Sequence, residues 1–181
     1  MRRFVIPFVI VLALAIPALA MARSGTTFRA QLHELNGSGA TGTAWVTVNG
    51  DTLTVRIQAS GLVPNMGHLR HIHGKLDNLS NAGGSGIALS KCPTPRADAD
   101  GDGIVSVAEG IPDYGQVALN LGNFMTSTGS IDDTLTFTLG QLGDPSLPLD
   151  RRAIVLHGMF GPDGLYDASI PVVCGQLHAQ G

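Results

Sequence analysis

The sequence predicts an all-β fold, an antiparallel sandwich or barrel of about eight strands. Apolar and polar residues alternate along short segments such as "TLTVRIQA" and "TLTFTL", which is the two-residue period of a strand with one buried face. Glycine and proline occur 24 and 10 times and separate these segments with turn signals. No segment carries the apolar periodicity of a three-turn amphipathic helix. Together these features favour a β domain with polar, threonine-rich outer faces.

Eight segments carry the strand pattern. In the third, Leu53, Val55 and Ile57 point to one side, and the residues between them point to the other. The second and third segments are joined across Asn49-Gly50, the dipeptide that most strongly favours a tight hairpin turn. The segments are residues 28–35, 43–48, 52–59, 67–74, 116–121, 134–139, 151–158 and 167–175.

Residues 1–22 predict a secretory signal peptide. "MRR" is followed by an apolar run that ends in small residues of the A-x-A type. Pro7, Pro17 and the polar "RSGTT" that follows favour cleavage over a membrane anchor. We therefore expect an exported protein, secreted or periplasmic, that is not attached to the membrane after cleavage. Residues 23–181 are then expected to form one domain, because about 160 residues are enough to bury a core.

Charge and cysteine content narrow the class of protein further. Loss of Arg2 and Arg3 with the leader takes the formal net charge from −3 to −5, and aromatic residues make up only 5% of the chain. Without a basic stripe we expect no binding to nucleic acid. The mature chain has two cysteines, Cys92 and Cys174. In an oxidising compartment such a pair predicts a disulfide in preference to two buried thiols.

The strand pattern lapses over residues 75–115, which predicts a long inserted loop. Within it, "DADGDGIVSVAE", residues 98–109, matches the EF-hand-like pattern D-x-[DN]-x-[DN]-G-x5-E without a mismatch. The flanking sequences predict no helix pair, since "CPTPRA" is a poor entering helix and "GIPDYG" ends any exiting one. The pattern therefore favours an isolated structural calcium loop, and the alternative is a solvated acidic turn. The predicted ligands are the side chains of Asp98, Asp100, Asp102 and Glu109, the carbonyl of Ile104, and Ser106 through a water.

"GHLRHIHG" suggests a transition-metal site. His71 and His73 are two residues apart, so on a strand they share one face. His157 in "AIVLHG" ends another apolar strand, where it is either a ligand or a hydrogen-bonded core histidine. Imidazole suits copper, zinc, iron and nickel. A lone H-x-H is moderate evidence, because such a pair can also be a polar stretch of an ordinary strand. We expect His33 and His178 to be surface residues.

These segments resemble two related families. "GLVPNMGHLRHIHG", "RRAIVLHG" and "PVVCGQL" are similar in sequence and order to segments of the copper/zinc superoxide dismutases. "ATGTAWVTVNGDTLT" and "RHIHG" resemble CHRD-type β domains at least as well. The resemblance implies a Greek-key β-sandwich with long loops at one end. It also implies copper ligands at His71, His73 and His157, a structural histidine at His68 that braces the site, and a Cys92–Cys174 disulfide.

The departures from the dismutase pattern weaken the prediction of an enzyme. No histidine lies between His73 and His157, so the bridging histidine and the zinc site of that family are missing. The substrate-guiding arginine of the family is replaced by Pro171. Three hypotheses follow: an exported metal-binding domain, a copper-only superoxide dismutase, and a structural or adhesive module that binds only calcium. A cupin-like enzyme ranks last, because the glutamate expected after H-x-H is absent.

Overall fold

The computed structural model describes residues 25–75, 89–142 and 148–181. The predicted signal peptide lies outside these residues, as do positions 76–88 of the inserted loop. Within the described ranges the chain forms nine antiparallel strands, one α-helix and three short 3-10 turns. The predicted fold class is confirmed: the molecule is a nearly closed antiparallel barrel or sandwich of eight long strands. None of the helices in these ranges is long and apolar enough to cross a membrane.

All eight predicted strands are present, and most extend a few residues beyond the predicted ends. The Asn49-Gly50 hairpin is also confirmed, since β2 and β3 pair up to Asn49 opposite Thr52 and Gly50 has a φ of 60°. The strands are β1 Thr26–Glu34, β2 Thr41–Asn49, β3 Thr52–Ser60, β4 Gly67–Gly74, β5 Gln116–Met125, β6 Ile131–Thr138, β7 Ala153–Phe160, β8 Tyr166–Gln176 and β9 His178–Ala179.

The strands are hydrogen-bonded in the order β5-β4-β7-β8-β1-β2-β3-β6, and β9 adds to β1. Consecutive strands β4 and β5 are paired, whereas β7 returns to lie beside β4, which is the Greek-key arrangement. In the described part of the chain, β5 and β6 are the two edges of the sheet. The barrel is therefore not closed between β5 and β6, and we call this gap the open seam.

Side chains that face into the barrel form one continuous core. On β4 the inward positions are His68, Arg70 and Ile72, all buried. Arg70 lies at the open seam, where its guanidinium donates to Asp133 Oδ2 on β6 at 2.7 Å and to the Leu121 carbonyl on β5 at 3.1 Å. One buried arginine thus joins both edges of the sheet to β4.

The inserted loop contains a helix, α1, from Val107 to Tyr114. The prediction that "GIPDYG" ends any exiting helix is therefore wrong. A capping box forms in which Glu109 N–H donates to Ser106 Oγ and Ser106 N–H donates to the Glu109 carboxylate. Pro112 removes one helical hydrogen bond, but the cap and the burial of Tyr114 outweigh that loss. In the described residues 89–97, which precede the acidic segment, only a 3-10 turn, Pro95–Ala97, is found, as expected for a poor entering helix.

The insertion packs on the outside of β7 and β8. A second apolar cluster joins Tyr114 and Ile111 of α1 to Val155 and Ala153 of β7. The predicted disulfide, Cys92–Cys174, is confirmed and lies in the same cluster. The inserted loop is therefore fastened to the barrel directly above the outer faces of β4, β7 and β8.

Candidate metal centre

The structure brings His71, His73 and His157 together on the outer face of the barrel. Because Ile72 points into the core, its two neighbours on β4 point outward beneath the insertion. On the adjacent β7, His157 lies opposite Leu69, so its ring is diagonal to that of His71. Strand alternation and antiparallel pairing together place the three imidazoles on one patch.

Irregular pairing adjusts the direction of these side chains. The β4–β5 register shifts between Leu69 and His71 and again between Ile72 and His73, and the β7–β8 register shifts on both sides of His157. Such bulges re-aim side chains and are common beside functional sites. Gly158 follows His157 with a φ of 114°, and a Cβ at this position would collide with the Tyr166 hydroxyl. No feature of the strand pattern signals these bulges, although glycine directly after a histidine is a hint.

One nitrogen from each ring faces a common point. These three atoms all lie within 4.8 Å of one another, and His71 Nδ1 is 3.3 Å from His157 Nε2. Two nitrogens bound to one tetrahedral metal at about 2.0 Å are roughly 3.3 Å apart. The pair formed by His71 and His157 already has this separation, and the ligand atom of His73 lies within 4.8 Å of both.

Backbone carbonyls fix the orientation of two of the rings. His73 Nδ1 lies 3.0 Å from the Gly115 carbonyl, and His157 Nδ1 lies 2.7 Å from the Ser169 carbonyl. Each Nδ1 therefore carries the proton and donates it, which leaves the Nε2 lone pair for a ligand. His73 Nε2 is buried and has no hydrogen-bond partner. An unpartnered buried acceptor is costly, and binding a metal ion would remove that cost.

Burial keeps the three rings neutral. It lowers the pKa of His73 to about 4 and that of His157 to about 3, and it also lowers the pKa of His71. The backbone carbonyls oppose these shifts, and repulsion from the neighbouring imidazoles adds to them for His73 and His157. Neutral imidazole is the form that binds metal, so the rings are ready to act as ligands at neutral pH.

His68 lies on the other face of β4 and is fully buried. Its Nδ1 is 2.9 Å from the His157 carbonyl and its Nε2 is 2.9 Å from the Val63 carbonyl. The ring also stacks on Phe124, with centroids 5.3 Å apart. A neutral imidazole donates from one nitrogen only, and the contact of Nδ1 with the His157 carbonyl links the backbone of His157 to the start of β4.

The ring of Tyr114 covers the ring of His73. Its ring is fully buried, with its centroid 4.5 Å from that of His73, and its hydroxyl donates to the Val107 carbonyl at 3.2 Å. The next residue, Gly115, supplies the carbonyl that holds His73. The end of α1 therefore forms a roof that excludes water from one side of the histidines.

The acidic loop forms a second cluster. Carboxylate oxygens of Asp98, Asp100 and Asp102 lie within 4.8 Å of one another. Glu109 is not in this group: its Oε1 accepts from the N–H of Ala99 at 2.8 Å, and its Oε2 accepts from Ser106. These hydrogen bonds lower the pKa of Glu109 to about 2. The predicted calcium ligands are thus only partly brought together, and calcium binding stays a prediction.

Comparison with known families decides what kind of domain carries these features. The CHRD domain family matches residues 28–141, which is more than half of the chain. The chain belongs to the CHRD family. No curated protein matches it. The matched range contains His71 and His73 but ends before His157. His157 therefore lies outside the residues that identify the CHRD family.

Sequence reasoning about this CHRD domain missed the residues that orient the ligands. Gly115, Ser169 and Tyr114 act through main-chain carbonyls or ring packing, which leave no motif in a sequence. The cap of α1 was detectable, because "SVAE" fits the S-x-x-E capping box immediately before an apolar turn. That signal predicts a helix that begins at Val107, but where the helix packs depends on the tertiary structure.

Proposed function

We propose that this CHRD domain is an exported metal-binding module that holds one transition metal ion, of copper type, at His71, His73 and His157. The observation that carries the proposal is that His71, His73 and His157 each offer a ligand atom within 4.8 Å of the others, while the buried His73 Nε2 lacks a hydrogen-bond partner. His68 acts as the brace of the site through its bond to the His157 carbonyl.

The donor set supports copper or another late transition metal. All three ligands are imidazoles, which suit copper, zinc and nickel, whereas calcium and magnesium prefer oxygen. Both cysteines of the chain are consumed in the Cys92–Cys174 disulfide, so no thiolate competes for the ion. The disulfide also fits an oxidising compartment, which agrees with export by way of the predicted signal peptide.

The proposal includes a structural calcium ion in the acidic loop, bound by Asp98, Asp100, Asp102, Ile104, Ser106 and Glu109. Three carboxylates this close repel one another unless a cation lies between them. Gly103, the turn position of the pattern, has a φ of 88°. Glu109 already spans the loop, because it accepts from Ala99 at the loop's beginning and caps α1 at its end.

The metal test uses the mature protein, dialysed with copper or zinc and analysed for bound metal. We expect one equivalent per chain in the wild type, none in His157→Ala, and one in His178→Ala, which alters an exposed histidine on β9 that is not in the histidine group. Absence of bound metal in the wild type overturns the proposal. A superoxide assay of the copper-loaded protein then separates a binding module from a copper-only dismutase: turnover that vanishes in His157→Ala favours the enzyme.

The calcium test is thermal unfolding with calcium or magnesium. We expect calcium to raise the melting temperature of the wild type and not that of Asp100→Asn. Asp113→Asn, on α1 but outside the loop, should respond like the wild type. If calcium leaves the wild type unchanged, the acidic loop is a solvated turn. A calcium response without any transition metal would instead support a structural CHRD module that binds calcium alone.

A further inference from the structure

We infer that the histidine site selects copper in its monovalent state, Cu(I), over Cu(II) and Zn(II). The inference rests on the proposed function and goes beyond it by naming the oxidation state. Three features carry it: the charge of the donor set, the number of donors, and the burial of the site.

The donor set carries no negative charge. The group of ligand atoms contains three imidazole nitrogens and no carboxylate, within the part of the chain that the structure describes. Two of the rings are held by the uncharged carbonyls of Gly115 and Ser169, where many metal sites use a carboxylate. A bound ion therefore keeps its full charge, +1 for Cu(I) and +2 for Cu(II) or Zn(II).

Because the site is buried, this difference in ionic charge produces a large difference in the free energy of binding. His73 and His157 are 1% and 2% exposed, and His71 is half-buried. The cost of moving an ion from water into a medium of low dielectric constant rises with the square of its charge, so a divalent ion is penalised about four times as much as a monovalent one. Without an anionic ligand to offset this cost, the site disfavours both divalent ions.

The number of donors favours the same ion. Cu(II) prefers a tetragonal arrangement of four or more ligands, and Zn(II) a tetrahedral one. Cu(I), a closed-shell ion, is satisfied by three nitrogens. Tyr114 packs over His73 with a centroid distance of 4.5 Å, and its hydroxyl is directed to the Val107 carbonyl. The roof therefore closes one approach to the site without offering a fourth ligand.

The test compares dissociation constants of the full mature protein. Cu(I) is titrated anaerobically against bathocuproine disulfonate with ascorbate, and Cu(II) and Zn(II) against nitrilotriacetate, with bound Cu(II) followed by electron paramagnetic resonance. We expect Cu(I) to bind about 1,000-fold more tightly than Cu(II), which at 59 mV per tenfold raises the reduction potential of bound copper by about 180 mV above the aqueous couple. Direct voltammetry of the loaded protein gives the same quantity independently.

A matched pair of variants tests the charge argument. Asn120 on β5 is the cross-strand partner of His71, and Asn120→Asp adds one negative charge with almost no change of shape. We expect this variant to lower the preference for Cu(I) by about tenfold. Asn49→Asp adds the same charge in the β2–β3 hairpin and should leave the preference unchanged.

The outcomes separate the two proposals. Cu(II) or Zn(II) bound within tenfold of Cu(I) overturns the inference and leaves the metal site standing. Failure to bind any of the three ions overturns the metal site itself. Equal shifts in Asn120→Asp and Asn49→Asp show that local charge does not set the preference, and they too contradict the inference.

Discussion

His71 and His157 are separated by 86 residues in the chain, yet His71 Nδ1 lies 3.3 Å from His157 Nε2. Two protonated imidazoles would repel strongly at this distance, and burial disfavours the charge on either ring. The contact is therefore compatible with neutral rings.

Acid should destabilise the metal-free domain through the buried histidines. His73 and His157 have pKa values of about 4 and 3 in the folded protein, below the value of 6.5 expected when unfolded. The unfolded chain binds these protons first, so their contribution to stability is complete above pH 6.5 and is lost as the pH falls toward 4 and 3. At pH 5 we expect a loss of about 2 kcal/mol per ring relative to pH 7.5.

Urea unfolding at pH 7.5 and pH 5 measures this loss. His157→Gln should show about half of it, because one of the two rings no longer titrates, and His178→Ala should show all of it. A midpoint that is the same at both pH values for the wild type would contradict the prediction.

Gly115→Ala should weaken metal binding as well as folding. Gly115 has a φ of 88°, and a Cβ there would collide with the Gly74 carbonyl at the end of β4. Relief of that collision moves the Gly115 carbonyl, which orients His73. Gly122→Ala is the matched control, since Gly122 has a φ of 82° but open space around a Cβ. It should lose only about 1 kcal/mol of stability, the cost of a left-handed alanine, and keep its metal.

Copper affinity and the free energy of unfolding, measured for both glycine variants, check this prediction. We expect at least a tenfold loss of affinity in Gly115→Ala, roughly 1.4 kcal/mol of binding free energy. Equal affinities in the two variants would mean that the Gly115 carbonyl does not orient a ligand.

Asp133→Ala should destabilise the barrel more than Asp132→Ala. Asp133 pairs with Arg70, whose side chain is 5% exposed, so its removal leaves a buried charge without its carboxylate and costs about 1–3 kcal/mol. Asp132 pairs with Arg56, and both of those side chains are about half exposed. Water replaces that lost partner, so little change is expected. Chemical denaturation of the two alanine variants decides the order, and equal losses would show that Arg70 does not depend on Asp133.

Removal of the disulfide should loosen the insertion and the metal site together. Cys92 and Cys174 are 82 residues apart, and in the chain-entropy model a loop of this length stabilises the fold by about 4 kcal/mol. The bridge also lies in the cluster that holds Tyr114 above His73. For Cys92→Ser/Cys174→Ser we expect a lower melting temperature and weaker copper binding. If the double variant is less stable but binds copper with wild-type affinity, the packing of Tyr114 over His73 does not contribute to metal binding.

The local sequence was sufficient to predict the strands. A two-residue apolar period and turn dipeptides such as Asn49-Gly50 depend only on neighbours in the chain, and the eight predicted strands are found. The same locality explains the error at α1, where the proline and glycines of "GIPDYG" argue against a helix and the capping box of Ser106 and Glu109 argues for one. The Cys92–Cys174 pairing was also accessible, because a chain with two cysteines allows only one disulfide.

The tertiary structure alone decided how the histidines meet. Alternation predicted that His71 and His73 share a face, but their distance to His157 depends on β7 lying beside β4, a pairing that joins distant segments of the chain. The register shifts at His157 and the carbonyls of Gly115 and Ser169 set the ring directions, and these are main-chain features without a residue signature. The sequence by itself determined the strands and the residues able to bind a metal. Only the folded barrel, because it buries these rings and fixes their free nitrogens toward one point, made a candidate site of them.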